Sequence, residues 1–235
     1  MVLRLFADQD FEPGQGVKLA SEELHYFRRV RRAQGVVELF NRRGQRAKGS
    51  LKSGVFFVQE VIQDSDSALP LSLAVALPDS KVLRELIFSL SELGIRDLKV
   101  FAGERSQAPK SRISGLAKWD RWAIESARQC GRSRPLSVEV VSFESLLKQK
   151  AQEAFYLDEK RDTEAFLDLD FFQKSSGSAG SLVVVGCEGG WTDAERKALR
   201  SSQFRPIHLK APVMRVHTAC VVAASAFLCR ASLAQ

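Results

Sequence analysis

The chain has 235 residues, of which 45% are hydrophobic, and its 35 Lys and Arg against 28 Asp and Glu give a net charge of +7. This composition allows an ordinary core, and no apolar stretch approaches the ~20 residues of a membrane span. The four cysteines show neither a C-x-x-C pair nor metal-ligand spacing, so we expect buried free thiols and no metal site. The first residues lack the apolar region of a signal peptide, and we expect a cytoplasmic protein with no membrane partner.

Strand-forming residues and turn signals dominate the first part of the chain. The polar segment 63–70, which closes with Pro70, is typical of a linker. We therefore predict a small β-rich domain over residues 1–68. Its predicted elements are a short helix at 25–32 that presents arginines, strands at 36–40 and 55–62, and a turn region at 44–54 between the two strands.

From residue 71 the pattern changes to strands that alternate with helices. The first of these helices can be capped by Asp79 or Ser80, and Gly94 ends it. Such alternation predicts the α/β class, with a mainly parallel sheet and helices on both faces, over residues 69–235. The predicted strands are 71–78, 97–103, 136–141, 153–159, 181–186 and 205–209, with a loop at 174–181, and the later helices are 118–130, 142–150, one from Thr192, and 213–234.

Three glycines, Gly186, Gly189 and Gly190, lie between a strand and a helix. The β-branched run before them is typical of a buried strand, and Thr192 with Glu195 forms a capping box that begins a helix. Ligands bind at such strand ends in open α/β sheets. The spacing fits neither a phosphate-binding P-loop nor a dinucleotide fingerprint. Two alternatives stay open, which are a tight turn that needs positive φ and a loop that a ligand approaches closely.

Basic residues are concentrated in two segments. Residues 25–52 contain nine Lys and Arg and one acidic residue, and residues 99–134 contain nine and three. Such clusters attract polyanions through their phosphates. We therefore predict a nucleic-acid partner, with a solvated basic face as the alternative.

Six short motifs follow one another along the chain in the order of a known family. They are His25–Arg32, Lys81 with Glu92-Leu93-Gly94, Glu104-Arg105-Ser106, Arg128–Pro135, Gly186-Cys187-Glu188-Gly189-Gly190, and Leu209–Ala219. With these motifs the chain resembles the 16S ribosomal RNA (uracil-N3)-methyltransferases of the SPOUT class, which carry G-P-E-G-G at the fifth motif and L-G-x-R-x-L-R-x-E-T-A at the sixth.

This resemblance implies a fold and an activity. It implies a PUA-like β-barrel domain at 1–68, followed by a SPOUT domain at 69–235 whose C-terminal segment forms a trefoil knot. It implies a homodimer that uses S-adenosylmethionine, held among the knot loops mostly by backbone groups, to methylate a uridine N3 in 16S ribosomal RNA. The RNA would be presented in the small subunit or in an assembly intermediate.

The resemblance also implies the site residues. The expected cofactor-binding residues are Leu157, Gly186, Glu188, Gly189, Gly190, Leu209, Met214 and Thr218. The expected RNA-binding residues are His25, Arg28, Arg29, Arg31, Arg32, Lys81, Arg105 and Arg132.

Four residues depart from the family's loops. Lys210 replaces a glycine, Pro212 an arginine, His217 a glutamate, and Cys187 a proline. Pro212 lacks both the guanidinium and the backbone N–H of the family's arginine, and His217 puts an imidazole where the family has a carboxylate. The alternatives are therefore a catalytically impaired RNA-binding protein or a methyltransferase for another RNA nucleotide. A weaker third alternative is an enzyme for a small acidic metabolite.

Methyl transfer to uracil N3 is an in-line displacement that needs alignment and a nucleophilic nitrogen. We predict that Arg215 stabilises the anion left when N3 loses its proton, unless it pairs with Glu188 instead. A neutral His217 is the candidate base. N3 lies on the pairing edge, so the uracil must be unpaired or extruded to react.

Overall fold

A computed structural model describes residues 2–30, 37–64, 69–106, 115–160, 180–209 and 211–233. Arg31, Arg32, Lys210 and most of the loop predicted at 174–181 lie outside these ranges. The chain divides into two compact units, of which the first comprises Met1–Ser67 with Ile124–Pro135, and the second comprises Ala68–Ala123 with Leu136–Gln235. The boundary predicted after residue 68 did not anticipate that residues 124–135 belong to the first unit.

The first unit contains a five-stranded sheet in the order β1-β3-β4-β5-β2, in which β1 and β3 are parallel and the other neighbours antiparallel. Its described elements are β1 (Leu3–Phe6), β2 (Gly16–Lys18), helix α1 (Ser21–Val30), β3 (Val37–Phe40), β4 (Gln45–Lys52) and β5 (Val55–Gln63). The helix predicted at 25–32 is thus the end of a longer helix.

The turn predicted at 44–54 is wrong, because most of it is strand β4. This strand pairs with both β3 and β5, and only Ser53 and Gly54, each with positive φ, form the turn that follows. Two consecutive residues with positive φ are typical of a hairpin turn. Gly49 resembles a turn residue in the sequence, but a Cβ there would collide with the carbonyl oxygen of Phe57 in the neighbouring strand. The close packing of the two strands therefore requires a glycine at position 49.

A buried ionic network joins the sheet of the first unit to the segment 124–135. Arg4 donates to Glu38 Oε1 at 2.7 Å and to the Arg132 carbonyl at 2.9 Å. Arg46 donates two hydrogen bonds to the Asp64 carboxylate, of 2.7 and 2.8 Å. This hydrogen bonding lowers the pKa of Asp64 and raises that of Arg46. Arg4 and Arg46 have a structural role, because their guanidinium N–H groups donate to acceptors within the first unit.

The second unit is built on a six-stranded sheet in the order β11-β9-β10-β6-β7-β8, and every neighbouring pair in it is parallel. The predicted α/β class with a mainly parallel sheet is confirmed. The elements are β6 (Leu69–Ala76), α2 (Ser80–Glu92), β7 (Ile95–Phe101), α3 (Leu116–Cys130), β8 (Ser137–Val140), α4 (Phe143–Leu147), β9 (Glu153–Leu157), β10 (Ser181–Val185), α5 (Asp193–Ser201), β11 (Arg205–Ile207) and α6 (Val216–Leu233).

Both faces of this parallel sheet are buried, as the continuous apolar strands predict. Val183 and Val185 pack with residues of α2, α3 and α6 on one face, whereas Leu182 and Val184 pack with residues of α4 and α5 on the other. Successive side chains of a strand point to opposite faces, so a run such as 182–185 needs a layer of helices on each side. Among the residues described, no helix combines the length and the apolar character that crossing a membrane requires.

Candidate functional site

The carboxyl ends of β9, β10 and β11 surround a cavity of about 490 Å³. Its walls are residues 157–159 after β9, residues 186–191 after β10, and residues 207–209 and 211–216 between β11 and α6, with Ala219. Parallel strands bring their carboxyl ends to one edge of the sheet, where ligand sites of open α/β folds lie. The volume is in the range of small-molecule sites, about 300–1,000 Å³.

The cavity brings together most of the residues that the sequence assigned to the site. His217 and Thr218 are outside the cavity, on the first turn of α6, and Thr218 is exposed. The predicted residues that line it are Leu157, Gly186, Glu188, Gly189, Gly190, Leu209, Met214 and Arg215.

The three glycines of the loop 186–191, here called the glycine loop, are each required by their surroundings. Gly190 has φ +68, and its N–H donates to the Cys187 carbonyl at 2.9 Å. A Cβ on Gly186 would lie 3.0 Å from the Trp191 ring, and one on Gly189 would lie 2.9 Å from Arg105 Cβ. The loop is therefore a tight turn against which other protein atoms pack closely, and close approach of a ligand stays a prediction.

Trp191 anchors the glycine loop to the neighbouring strand. The ring is buried between the sheet and α5, and its Nε1 donates to the Leu157 carbonyl at 2.7 Å. It stacks on Phe101 at 6.3 Å and meets Tyr156 edge to face at 6.0 Å. A large aromatic group with its N–H satisfied is a rigid support, so the loops after β9 and β10 are held together.

A carboxylate pair missed in the sequence analysis lies in the wall after β9. Asp158 is buried, and Arg196 of α5 donates to it at 3.1 Å and to Glu159 at 2.6 Å. Burial alone would lower the pKa of Arg196, but the hydrogen bond and charge of Asp158, with the charge of Glu159, raise it. A usable signal was the Asp-Glu pair at the end of a buried strand.

The described residues of the cavity wall contain three carboxylates and one guanidinium, that of Arg215. Asp158 and Glu159 are both paired with Arg196, whereas Glu188 has no ion pair within the described ranges. No hydrogen bond or ion pair reaches the Arg215 guanidinium from any residue within the described ranges, so the alternative pairing with Glu188 is not formed. Among the described lining residues, Glu188 is therefore the carboxylate whose charge is available to a cationic ligand.

The departures from the family's loops have specific places in the structure. His217 is half-buried, and its Nε2 lies 3.1 Å from Ser89 Oγ on α2; neither residue lines the cavity. Cys187 is buried, with its Sγ 3.8 Å from the Gly190 carbonyl, and Pro212 lines the cavity. Side chains at 187 and 212 therefore leave the space open. No cluster of His, Cys, Asp or Glu suited to a metal occurs in the part of the chain that the structure describes.

The predicted RNA-binding residues that the structure describes belong to both compact units. His25, Arg28 and Arg29 are exposed on one face of α1. Lys81 is exposed on α2, whereas Arg132 is half-buried. Other basic residues of the first cluster have acidic partners, namely Arg42 with Asp8, Arg43 with Asp10 and Lys48 with Glu60.

Comparisons with known proteins agree with this geometry. Two proteins named ribosomal RNA small subunit methyltransferase E are similar in sequence. The one from Synechocystis is 28% identical over 215 residues, which cover 88% of this chain and 71% of that protein. The one from Helicobacter pylori is 30% identical over 154 residues, which cover 65% of this chain and 64% of that protein.

Two solved structures have the same fold. A methyltransferase from Legionella pneumophila in complex with its cofactor S-adenosylmethionine superposes with a TM-score of 0.82 at 21% identity, covering 97% of both chains. The ribosomal RNA small subunit methyltransferase E of Neisseria gonorrhoeae, bound to S-adenosylmethionine, gives 0.81 at 19% identity, covering 96% of both.

A family model described as an RNA methyltransferase domain matches residues 65–228. This match covers more than half of the chain and the whole cavity wall. The resemblance that the motifs indicated is therefore confirmed, and the chain belongs to the RNA methyltransferase family.

Proposed function

We propose that this protein transfers a methyl group from S-adenosylmethionine to N3 of a uridine in 16S ribosomal RNA of the small subunit. The observation that carries the proposal is the cavity at the ends of β9, β10 and β11. Its walls contain seven of the eight residues that the family's motifs assign to the cofactor. Related proteins whose names specify the small-subunit ribosomal RNA support the choice of substrate.

The cavity fits the cofactor in volume and in charge. S-adenosylmethionine, when bound, supplies a methyl group activated by a sulfonium. Glu188, which has no ion pair within the described ranges, places negative charge at the wall, and this charge favours a ligand with a sulfonium and an ammonium group. The backbone of the glycine loop is fixed by Trp191 and Arg105, so its polar groups need no reordering when a ligand enters.

Arg215 is the residue that we assign to the uracil. The target N3 carries a proton at neutral pH, and its loss places negative charge on the uracil oxygens. A guanidinium in the cavity wall with no other partner among the described residues can stabilise that charge. His217, the candidate base predicted from the sequence, does not line the cavity. Its Nε2 lies 3.1 Å from Ser89 Oγ.

We propose that RNA binds to the face of α1 formed by His25, Arg28 and Arg29. These side chains are exposed and share one helix face. Arg28 and Arg29 have no ion-pair partner among the residues described, so their charge is available for phosphates. Arg31 and Arg32, which follow in the sequence, would extend the same basic segment.

Membership of the RNA methyltransferase family also suggests features of the fold and the assembly. From the family resemblance we propose a trefoil knot near the C-terminus and a PUA-like first domain. We propose a homodimer in the cytoplasm. The apolar helix α6 supports the dimer, because Val221 and Val222 are only partly buried and Leu228 is 36% exposed.

Mass spectrometry of RNA tests the proposed activity. Purified small subunits and free 16S RNA from a strain that lacks this chain are incubated with the protein and S-adenosylmethionine, and the modified nucleotide is mapped. We expect one 3-methyluridine. Methylation of a different nucleotide would refute the uridine assignment. RNA binding without methyl transfer on either substrate would favour the impaired RNA-binding alternative that His217 and Pro212 suggest.

Gly190→Ala should weaken binding of S-adenosylmethionine, whereas Gly94→Ala should not. Both positions have positive φ, so each variant should lose about 1–2 kcal/mol of stability from strain alone. Only at Gly190 does the new Cβ meet a neighbour within the cavity wall, Glu159 Oε1 at 3.1 Å, and a Cβ on Gly94 meets nothing within 4 Å. Thermal unfolding and calorimetric titration measure the two effects. Equal affinities for the two variants would contradict a role of the glycine loop in binding.

A further inference from the structure

The loop after β7, residues 102–106, is bonded to the glycine loop and to the helix that follows it. Arg105 Nη1 donates to the Gly189 carbonyl at 3.1 Å and to the Trp191 carbonyl at 3.4 Å. The Glu104 N–H donates to Glu195 Oε1 at 3.0 Å. Strands β7 and β10 are not neighbours but flank β6, so these hydrogen bonds cross the end of the intervening strand.

The two loops also pack backbone against backbone. A Cβ on Gly189 would lie 2.9 Å from Arg105 Cβ and 3.3 Å from the Arg105 carbonyl oxygen. A Cβ on Gly103 would lie 3.1 Å from Ala76 Cβ, at the end of β6. Small residues therefore permit a contact that leaves little room for one loop to shift without the other.

Glu195 serves two elements with one carboxylate. Its Oε2 accepts from the Thr192 N–H at 2.9 Å, which closes the capping box of α5. Its Oε1 accepts from the Glu104 N–H of the other loop. The side chain is buried, with 4% of the residue exposed. The start of α5 and the loop after β7 thus share an anchor, which is stronger because the acceptor is charged.

The peptide group between Gly189 and Gly190 is held at both ends. Arg105 binds its carbonyl oxygen, and the Cys187 carbonyl accepts from its N–H at 2.9 Å. Gly189 and Gly190 line the cavity, whereas Arg105 and Glu195 do not. Arg105 therefore fixes the orientation of the Gly189–Gly190 peptide in the cavity wall without lining the cavity itself.

We propose that Arg105 and Glu195 are positioning residues of the methyl-donor site. Arg105 then supports binding of the donor and does not bind RNA, although its motif had led us to expect an RNA-binding role. This assignment rests on the proposed function. The loop after β7 and the glycine loop then act as one unit. Loss of the Arg105 hydrogen bonds frees the Gly189–Gly190 peptide, and the site must reorder it each time the donor binds.

Arg105→Met tests the assignment, with Arg105→Lys as the conservative variant and Arg96→Met as the control. Arg96 is an exposed arginine of the same unit that pairs with Asp97 at 2.8 Å and does not line the cavity. Calorimetry with S-adenosylmethionine should give a Kd raised about 10- to 100-fold for Arg105→Met. We expect partial rescue by lysine and no change in the control. Filter binding of 16S RNA without the donor should change less than about twofold.

Two further measurements separate positioning from a general loss of structure. In the free protein, hydrogen exchange of the Gly190 amide should become faster in Arg105→Met, while exchange in β6 is unchanged. Glu195→Gln, which keeps one acceptor oxygen, should weaken donor binding in the same direction. In steady-state kinetics the KM for the donor should rise more than kcat falls.

The outcomes are distinct. An RNA affinity that falls in Arg105→Met while the donor Kd stays at the wild-type value would overturn the assignment and make Arg105 an RNA ligand. Unchanged donor and RNA affinities would overturn it as well. A wild-type protein that binds no donor would instead refute the proposed function, and this positioning role with it.

Discussion

Arg215→Met should lower the rate of methyl transfer by about 10²- to 10³-fold, with the Kd for S-adenosylmethionine within about threefold of the wild-type value. Arg215 lines the cavity, and no described residue pairs with its guanidinium. Its charge is therefore available for the anion that forms on the uracil when N3 loses a proton. The effect should appear in kcat, because that anion is absent from the ground state.

Arg215→Lys and Arg84→Met are the matched variants for this prediction. Lysine keeps the charge but not the planar fork, so we expect an intermediate rate. Arg84 is exposed on α2, lies 5.0 Å from the Phe88 ring and does not line the cavity, and its replacement should leave the rate unchanged. A raised donor KM with normal kcat in Arg215→Met would assign this residue to the cofactor instead.

Asp158→Ala should lower the free energy of unfolding by about 1–3 kcal/mol. The Asp158 side chain is fully buried, and the Arg196 side chain, 3.1 Å away, is 10% exposed. Removing the carboxylate takes away the acceptor of Arg196 Nε, while Glu159, Asp193 and the Trp191 carbonyl remain as partners of the guanidinium among the described residues. The buried donor left without an acceptor sets the size of the effect.

Urea unfolding compares this variant with Asp8→Ala, which removes an exposed partner of Arg42. In that pair the side chains are 36% and 55% exposed, so the loss should stay below about 1 kcal/mol. The double replacement Asp158→Leu with Arg196→Met should recover much of the lost stability, because no buried donor is then left without an acceptor. Equal losses in Asp158→Ala and Asp8→Ala would show that the buried pair does not support the cavity wall.

Local chemistry was enough to predict much of the second unit. The capping box of Thr192 and Glu195 forms both of its hydrogen bonds, and Asp79 caps α2. The continuous apolar run before Gly186 is a strand with both faces buried. Each of these features depends on residues within one or two turns or strands, where composition determines geometry.

Other features depend on partners distant in sequence and were missed or misplaced. Strand β4 has little hydrophobic alternation, and its pairing with β3 and β5 overrides its turn-like residues. Asp158 and Arg196 are 38 residues apart in the sequence, and His217 and Ser89 are 128 residues apart. The hydrophobic periodicity of a sequence does not indicate such contacts. The glycine loop could therefore be predicted, but the ion pair of Asp158 and Arg196 could not.

Calorimetric titration of the whole protein with S-adenosylmethionine is the most direct test of the central claim, which is that the cavity at the ends of β9, β10 and β11 holds the methyl donor. We predict saturable binding that weakens in Gly190→Ala and is normal in Gly94→Ala. A wild-type protein that gives no binding heat at millimolar donor, or an affinity unaffected by Gly190→Ala, would contradict it.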